Sequence, residues 1–217
     1  MNREEMKEEM KAQIYQDFLR GGDHRGSGFH GSLQRYWEYC WAIDNLPEGR
    51  IAFDTGCGKG AYFAGILTAN YVEVLCNDTE PLPEPIPGRV YWNGLTEDVI
   101  DRSQHRLQYV DVVTCISVLE HVENKKAFCE ALDSIPAPIL MTLEFVQRNN
   151  PHGCFLSLYY LADCLDCFKR HYLSKIETCP IYADNSSYGE WRPLALLLLP
   201  IPKKREPYSD HCEIPER

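Results

Sequence analysis

The sequence predicts an α/β fold: a seven-stranded, mostly parallel open sheet with an antiparallel last strand, preceded by an N-terminal helical cap. Three observations carry this. The run Ile51-Ala52-Phe53-Asp54-Thr55-Gly56-Cys57-Gly58-Lys59-Gly60 passes from apolar residues through an acid into glycines at every second position. Ala61-Tyr62-Phe63-Ala64-Gly65-Ile66-Leu67 then resumes with helical spacing, so strand, tight turn and helix follow one another. Short apolar runs recur at 71–77, 89–93, 110–118 and 138–145, as expected of strands buried on both faces. Two closing runs, 174–182 and 193–199, flank a polar, hairpin-like segment and predict an antiparallel pair.

Composition sets the outer limits. A chain of 217 residues suits one domain with a sizeable core. Its formal net charge of −10 repels phosphate backbones and disfavours a nucleic-acid partner. The ten cysteines are scattered, and Cys76 and Cys115 lie inside apolar runs, where a free thiol behaves as a small core residue. The start is charged and amphipathic, unlike a signal peptide, and no apolar run reaches the length of a membrane span. These features predict a reduced, cytoplasmic protein without a membrane association. Oligomeric state is not legible.

In chain order, Met6, Met10, Ile14, Phe18 and Leu19 recur at helical spacing and predict a helix over 2–20, either packed on the core or lying over a ligand. The tract 21–32 is glycine-rich and carries His24, Arg25 and His30; it reads as a lid or as a linker. A helix over 33–46 is stopped by Pro47-Glu48-Gly49. Residues 1–48 thus form the cap and possible lid, 49–200 the core, and 201–217 an irregular tail. The prolines between Pro81 and Pro87 leave little room for a helix after the second strand. A strand over 110–118 leads through a loop to a helix over 124–132. Glu144 lies near the end of the fifth strand, and the loop after it holds Arg148, Asn149, Asn150 and His152; Glu144 and His152 are candidate site residues there. A helix is predicted over 156–171. It contains Cys164-x-x-Cys167, which reads as a core face rather than zinc, although Cys154 and Cys179 would be available as further ligands. No metal site is expected.

The glycine turn is where the chemistry begins. Backbone without Cβ lets a ligand approach closely, and the following helix offers unpaired N–H groups. Gly56, Gly58 and Ala61 also fit a relaxed dinucleotide fingerprint, so the turn alone leaves an NAD-dependent oxidoreductase open. Asp54 suits a positively charged ammonium better than a pyrophosphate. Asp78 ends the next strand and can accept both ribose hydroxyls of an adenosine ligand. An oxidoreductase would also need a substrate domain, for which no residues remain. A non-catalytic binding protein is a third possibility, disfavoured by the intact turn.

The pattern Asp54-x-Gly56-x-Gly58-x-Gly60 with Asp78 resembles the class I S-adenosylmethionine-dependent methyltransferases. The strand ending in Ser117-Val118-Leu119-Glu120-His121-Val122 resembles the fourth-strand motif of their small-molecule, methyltransferase-11-like members. Arg35-x-x-Glu38-Tyr39 before the first strand looks like methyltransferases found among glycan-modification genes, with Cys40 where those carry proline. The resemblance implies a Rossmann-like fold, S-adenosyl-L-methionine as cofactor, and a small-molecule acceptor such as the hydroxyl of a sugar or other metabolite. It implies that Asp54, Gly56, Cys57, Gly58 and Gly60 surround the methionine end, and Asp78 with Thr79 the ribose. Asn93-Gly94-Leu95 takes the adenine position, where the family often has an acid. Ser117 is expected near the transferred methyl, and His121 and His152 are candidate bases. No Pro-Pro-aromatic tripeptide follows the fourth strand, which separates the chain from enzymes that methylate base amino groups.

Overall fold

A computed structural model describes residues 2–20, 33–81, 89–146, 158–180, 183–185 and 189–202. The sheet consists of β1 (Ile51–Thr55), β2 (Glu73–Asp78), β3 (Arg89–Asn93), β4 (Val112–Ile116), β5 (Ile139–Val146), β6 (His171–Thr178), β7 (Ala183–Asn185) and β8 (Gly189–Pro200). Its order is β3-β2-β1-β4-β5-β8-β6, with β7 paired to β8. The first five lanes are parallel, and β8 runs antiparallel to both neighbours. The short β7 pairs with the start of β8 and prolongs the lane of β6, so the sheet has seven lanes with a single reversed one.

Alternation along the strands sorts the core into two layers. Phe53, Leu75, Val113 and Cys115 face one side, under α4 (Thr96–Leu107), α5 (Lys125–Asp133) and α6 (Leu158–Leu165). Ala52, Val74, Cys76 and Val112 face the other, under α1 (Arg3–Leu19), α2 (Leu33–Asn45) and α3 (Tyr62–Leu67). With helices on both faces, the central strands are almost wholly buried, which explains their unbroken apolar runs.

The N-terminal helix is a cap docked on α2. Asn2 and Glu5 close a capping box at its start. Met10 and Ile14 are buried, Lys7 Nζ donates to the Asp44 carbonyl at 2.8 Å, and Lys11 Nζ pairs with Asp44 at 2.9 Å. Tyr62 Oη donates to Asp17 at 2.8 Å and ties the cap to α3.

Three elements differ from expectation. Helix α4 was not foreseen; its buried face mixes Val99, Ile100 and Leu107 with Thr96 and Ser103, so the apolar signal is diluted. The helix expected over 156–171 is described from Leu158 and ends at Leu165, and His171 already opens β6. The Asp133 carboxylate accepts N–H bonds from Lys169 and Arg170 and faces His171 Nδ1 at 2.9 Å, which fixes the chain reversal. The strand expected at 193–199 is longer, because residues 189–192 continue it against β5 and β7.

Candidate functional site

The glycine turn leaves β1 at the carboxyl ends of the central strands. Gly56 has φ +65° and Gly58 φ +71°, a region that costs residues with a Cβ about 1–2 kcal/mol. A Cβ on Gly56 would lie 2.4 Å from Val118, so the turn packs directly on the segment leaving β4. A Cβ on Gly58 would meet nothing within 4 Å, which leaves the backbone open on that side. Gly60 is not left-handed; Ala61 is, at φ 42°, as the residue that opens α3. Arg89 Nη1 donates to the Ala61 carbonyl at 3.0 Å and braces it. Cys57 N donates to the Asn77 carbonyl at 3.1 Å. A hydrogen bond with Cys76, then burial, push the Cys57 thiol well up.

Asp54 lies under this turn and is 2% exposed. Its Oδ1 accepts from Thr114 Oγ1 at 2.6 Å; Oδ2 closes no hydrogen bond among the described residues, although the Ala64 N–H lies near enough to the carboxyl to lower its pKa. Burial pushes its carboxyl up to about 7, against the pull of Thr114, the Ala64 amide and the Arg89 charge. A buried carboxylate oxygen without a donor is what a ligand ammonium, or a water bridging to one, would satisfy.

Asp78 is half-buried at the end of β2. Its Oδ2 accepts from Gly58 N at 2.8 Å, and Oδ1 accepts from Glu80 N at 3.0 Å and, weakly, from Thr79 Oγ1 at 3.5 Å. The acid therefore shapes the turn. Asn93 Nδ2 donates to the carbonyls of Asp78 and Thr79, at 3.3 and 2.9 Å, and ties the ends of β2 and β3 together. Gly94 N donates to Asp78 O at 2.9 Å, and Leu95, 52% exposed, precedes α4. On the far face Thr55, Asn77 and Thr96 form a buried hydroxyl–amide network that holds α4 against the strand ends.

Ser117, at the exit of β4, has φ +51° and is buried. Its N–H donates to Thr142 O and Oγ1, and its Oγ donates to Glu38 Oε1 at 2.6 Å. Glu38 pairs with Arg35 at 3.0 Å, and Arg35 reaches Glu144 at 4.0 Å. Glu120 is 2% exposed; Oε1 accepts from Glu144 N at 3.2 Å, and Oε2 has no hydrogen-bond partner among the described residues. Burial raises the Glu120 carboxyl to about 8 and also raises Glu144. His121 is exposed on the same 3-10 turn; desolvation, then the charges of Arg35 and Lys125, lower its pKa and favour the neutral imidazole.

The structure thus brings Asp54, the glycine turn, Asp78, Thr79, Asn93 and Ser117 to one end of the sheet. His152 and the tract 21–32 lie outside the described residues. Sequence reasoning missed Glu120 as a site residue and gave Arg35 and Glu38 only as part of a resemblance. A charged pair within an aromatic-rich helix, and a glutamate on the strand exit, were the available signals. A separate cavity of about 940 Å³ lies among Ile100, Gln104, His105, Asp133, Lys169 and His171. Both Asp133 oxygens there are occupied by backbone and histidine partners, and the glycine turn is not among its walls.

No protein-family model and no curated protein matches the chain. Solved structures do. The 1,6-didemethyltoxoflavin-N1-methyltransferase of Burkholderia thailandensis, with bound 1,6-didemethyltoxoflavin and S-adenosylhomocysteine, is 11% identical, with a TM-score of 0.58 over 92% of this chain and 91% of that one. A candidate RNA methyltransferase from Pyrococcus horikoshii is 14% identical, with a TM-score of 0.58 over 94% of this chain and 100% of that one. A candidate type 11 methyltransferase from Sulfolobus solfataricus is 15% identical, with a TM-score of 0.54 over 83% and 100%. The strand order, the left-handed glycine turn after β1 and these likenesses agree: this chain has the fold of the class I S-adenosylmethionine-dependent methyltransferases.

Proposed function

We propose that the protein is an S-adenosylmethionine-dependent methyltransferase acting on a small-molecule acceptor. The observation that carries this is the meeting of the glycine turn with the β4 exit, where Gly56 backs onto Val118 and Asp54 keeps one unmatched oxygen. That cradle fits the cofactor. Asp54 would take the ammonium of its methionine end, Asp78 the ribose hydroxyls, and the Asn93–Leu95 segment the adenine. When bound, the cofactor supplies an activated methyl group for in-line displacement at a sulfonium. The protein's own work is to position the acceptor and exclude water. Ser117, locked by Thr142 and Glu38, would border the methyl.

The acceptor atom expected from sequence is a hydroxyl of a sugar or other metabolite. His121, neutral and exposed beside the cluster, is then the described candidate for taking its proton. The net charge of −10 supports a small molecule over nucleic acid. Of the described cysteines, Cys40, Cys57, Cys76, Cys115, Cys129, Cys164 and Cys167 are free thiols, as suits a reducing cytoplasm. Among the described residues no helix is long and apolar enough to cross a membrane.

Calorimetry with S-adenosylhomocysteine and with NAD tests the reading. Binding of the first and not the second is expected. Binding of NAD with no response to either adenosyl ligand overturns it.

A further inference from the structure

The acid-rich cluster between α2, the β4 exit and β5 bears on what the acceptor looks like, and this step rests on the methyltransferase reading above. Two carboxyl groups share one guanidinium, and a third lies close by. Arg35 pairs with Glu38 at 3.0 Å and reaches Glu144 at 4.0 Å. Ser117 Oγ occupies Glu38 Oε1 at 2.6 Å. Glu120 belongs to neither ion pair. It is 2% exposed, accepts one backbone N–H from Glu144, and keeps Oε2 without a hydrogen-bond partner among the described residues. His121 adds no positive charge, because desolvation and the nearby cations favour its neutral form.

A buried carboxylate is stable only with a proton or a cation. We infer that the acceptor carries a protonated amine, which docks on Glu120 Oε2 beside the strand exit where the methyl is delivered. At neutral pH the Glu120 carboxyl, raised to about 8, holds a proton; an ammonium has N–H donors for the unmatched oxygen and the charge to take that proton's place. An alcohol could supply the donor but not the charge. Among the described residues no group of three or more histidine, cysteine or acidic side chains is arranged to hold a metal ion. The methylated atom then lies in a neighbouring group such as a hydroxyl, because an ammonium nitrogen has no lone pair for the displacement; the amine is the recognition handle.

The test uses thermal unfolding of the intact protein, with and without saturating S-adenosylhomocysteine. The probe is ethanolammonium chloride; the controls are ethylene glycol with matched sodium chloride, and tetramethylammonium chloride, which has charge but no N–H. Ethanolammonium should raise Tm by about 2–4 °C at concentrations well above its Kd. The controls should not. Glu120→Gln should abolish the ammonium shift and keep the S-adenosylhomocysteine shift, and Glu144→Gln should weaken the former. If Glu120→Gln does not fold, Glu120→Asp, which withdraws the carboxyl by one methylene, replaces it. No ammonium shift beyond the controls, or an equal shift in the Glu120 variant, overturns the inference. So does a stabilisation by S-adenosylmethionine beyond S-adenosylhomocysteine that depends on Glu120 while ammonium has no effect, since that assigns the carboxylate to the sulfonium. Failure of S-adenosylhomocysteine to bind is scored separately: it fails the cofactor reading, while a Glu120-dependent ammonium shift without cofactor still supports the amine site.

Discussion

Replacing Asp54 by asparagine should make the ligand-free protein more stable at high pH relative to wild type, and the cofactor site worse. The argument is one of proton linkage. Burial raises the Asp54 carboxyl to about 7, against an ordinary value of 3.8. Between those values the native state holds a proton that the unfolded chain has released. Native stability therefore falls as pH rises through that window, and the loss is complete above 7. From pH 5 to pH 8 the native state gives up roughly two pH units of linkage, worth about 2–3 kcal/mol at 1.36 kcal/mol per unit. The asparagine side chain would not titrate, so the stability of Asp54→Asn relative to wild type should improve by that amount across the same interval. Any fixed cost of the amide, such as an unmatched NH₂ beneath the turn, is common to both pH values and cancels. Urea unfolding of both proteins at pH 5 and pH 8, without ligand, measures the difference directly. In parallel, S-adenosylhomocysteine should bind the variant at least about tenfold more weakly, as expected when a charge-assisted partner is removed. A stability difference that is the same at both pH values would refute the reasoning, because Asp54 would then be ionised throughout.

Three further outcomes follow from the geometry. Asp78→Ala should weaken S-adenosylhomocysteine binding by roughly 2–3 kcal/mol in calorimetry, since it removes both a ribose partner and the acceptor for Gly58 N; an unchanged Kd would place the ribose elsewhere. Gly58→Ala should cost about 1–2 kcal/mol in urea unfolding from its left-handed backbone alone, whereas Gly56→Ala adds a clash with Val118 and should cost more. Equal losses would contradict the packing of the turn on the β4 exit. Asp133→Ala leaves the amides of Lys169 and Arg170 and the buried His171 ring without their acceptor, and should destabilise by about 3 kcal/mol while leaving cofactor affinity intact. Loss of affinity in that variant would mean that the far edge of the sheet is coupled to the site.

Much of this fold was written in local pattern. The strands β1, β4 and β5 are buried on both faces, so their apolar runs stand out, and the glycine turn is legible because its backbone dihedrals demand glycine. Helix α4 was not, because Thr96 and Ser103 sit on its buried face, Thr96 serving a hydroxyl network that no window of sequence reveals. The end of α6 was likewise hidden. It depends on the Asp133 carboxylate, more than thirty residues upstream, accepting the N–H groups that a continuing helix would have used. The proposed cofactor side of the site followed motif order along the chain. The proposed acceptor side did not, since Glu38, Ser117, Glu120 and Glu144 come together only through the sheet order and the docking of α2.

The reversed strand has a consequence for how the molecule is made. β8 is the last strand among the described residues, yet it lies between β5 and β6 and pairs with both. While the polypeptide emerges from the ribosome, at about 5–20 residues per second, the β3-β2-β1-β4-β5 half can assemble first. It then waits with β5 as a bare edge, and β6 has no lane to join. For the seconds before residues 189–200 appear, that edge, with Leu140 and Met141 beside its open hydrogen-bonding groups, is the place where a second nascent chain could pair. A chain stopped just before β8 should therefore lose two lanes of sheet rather than one and accumulate as aggregate, and a chaperone recruited during synthesis would find its binding surface on β5.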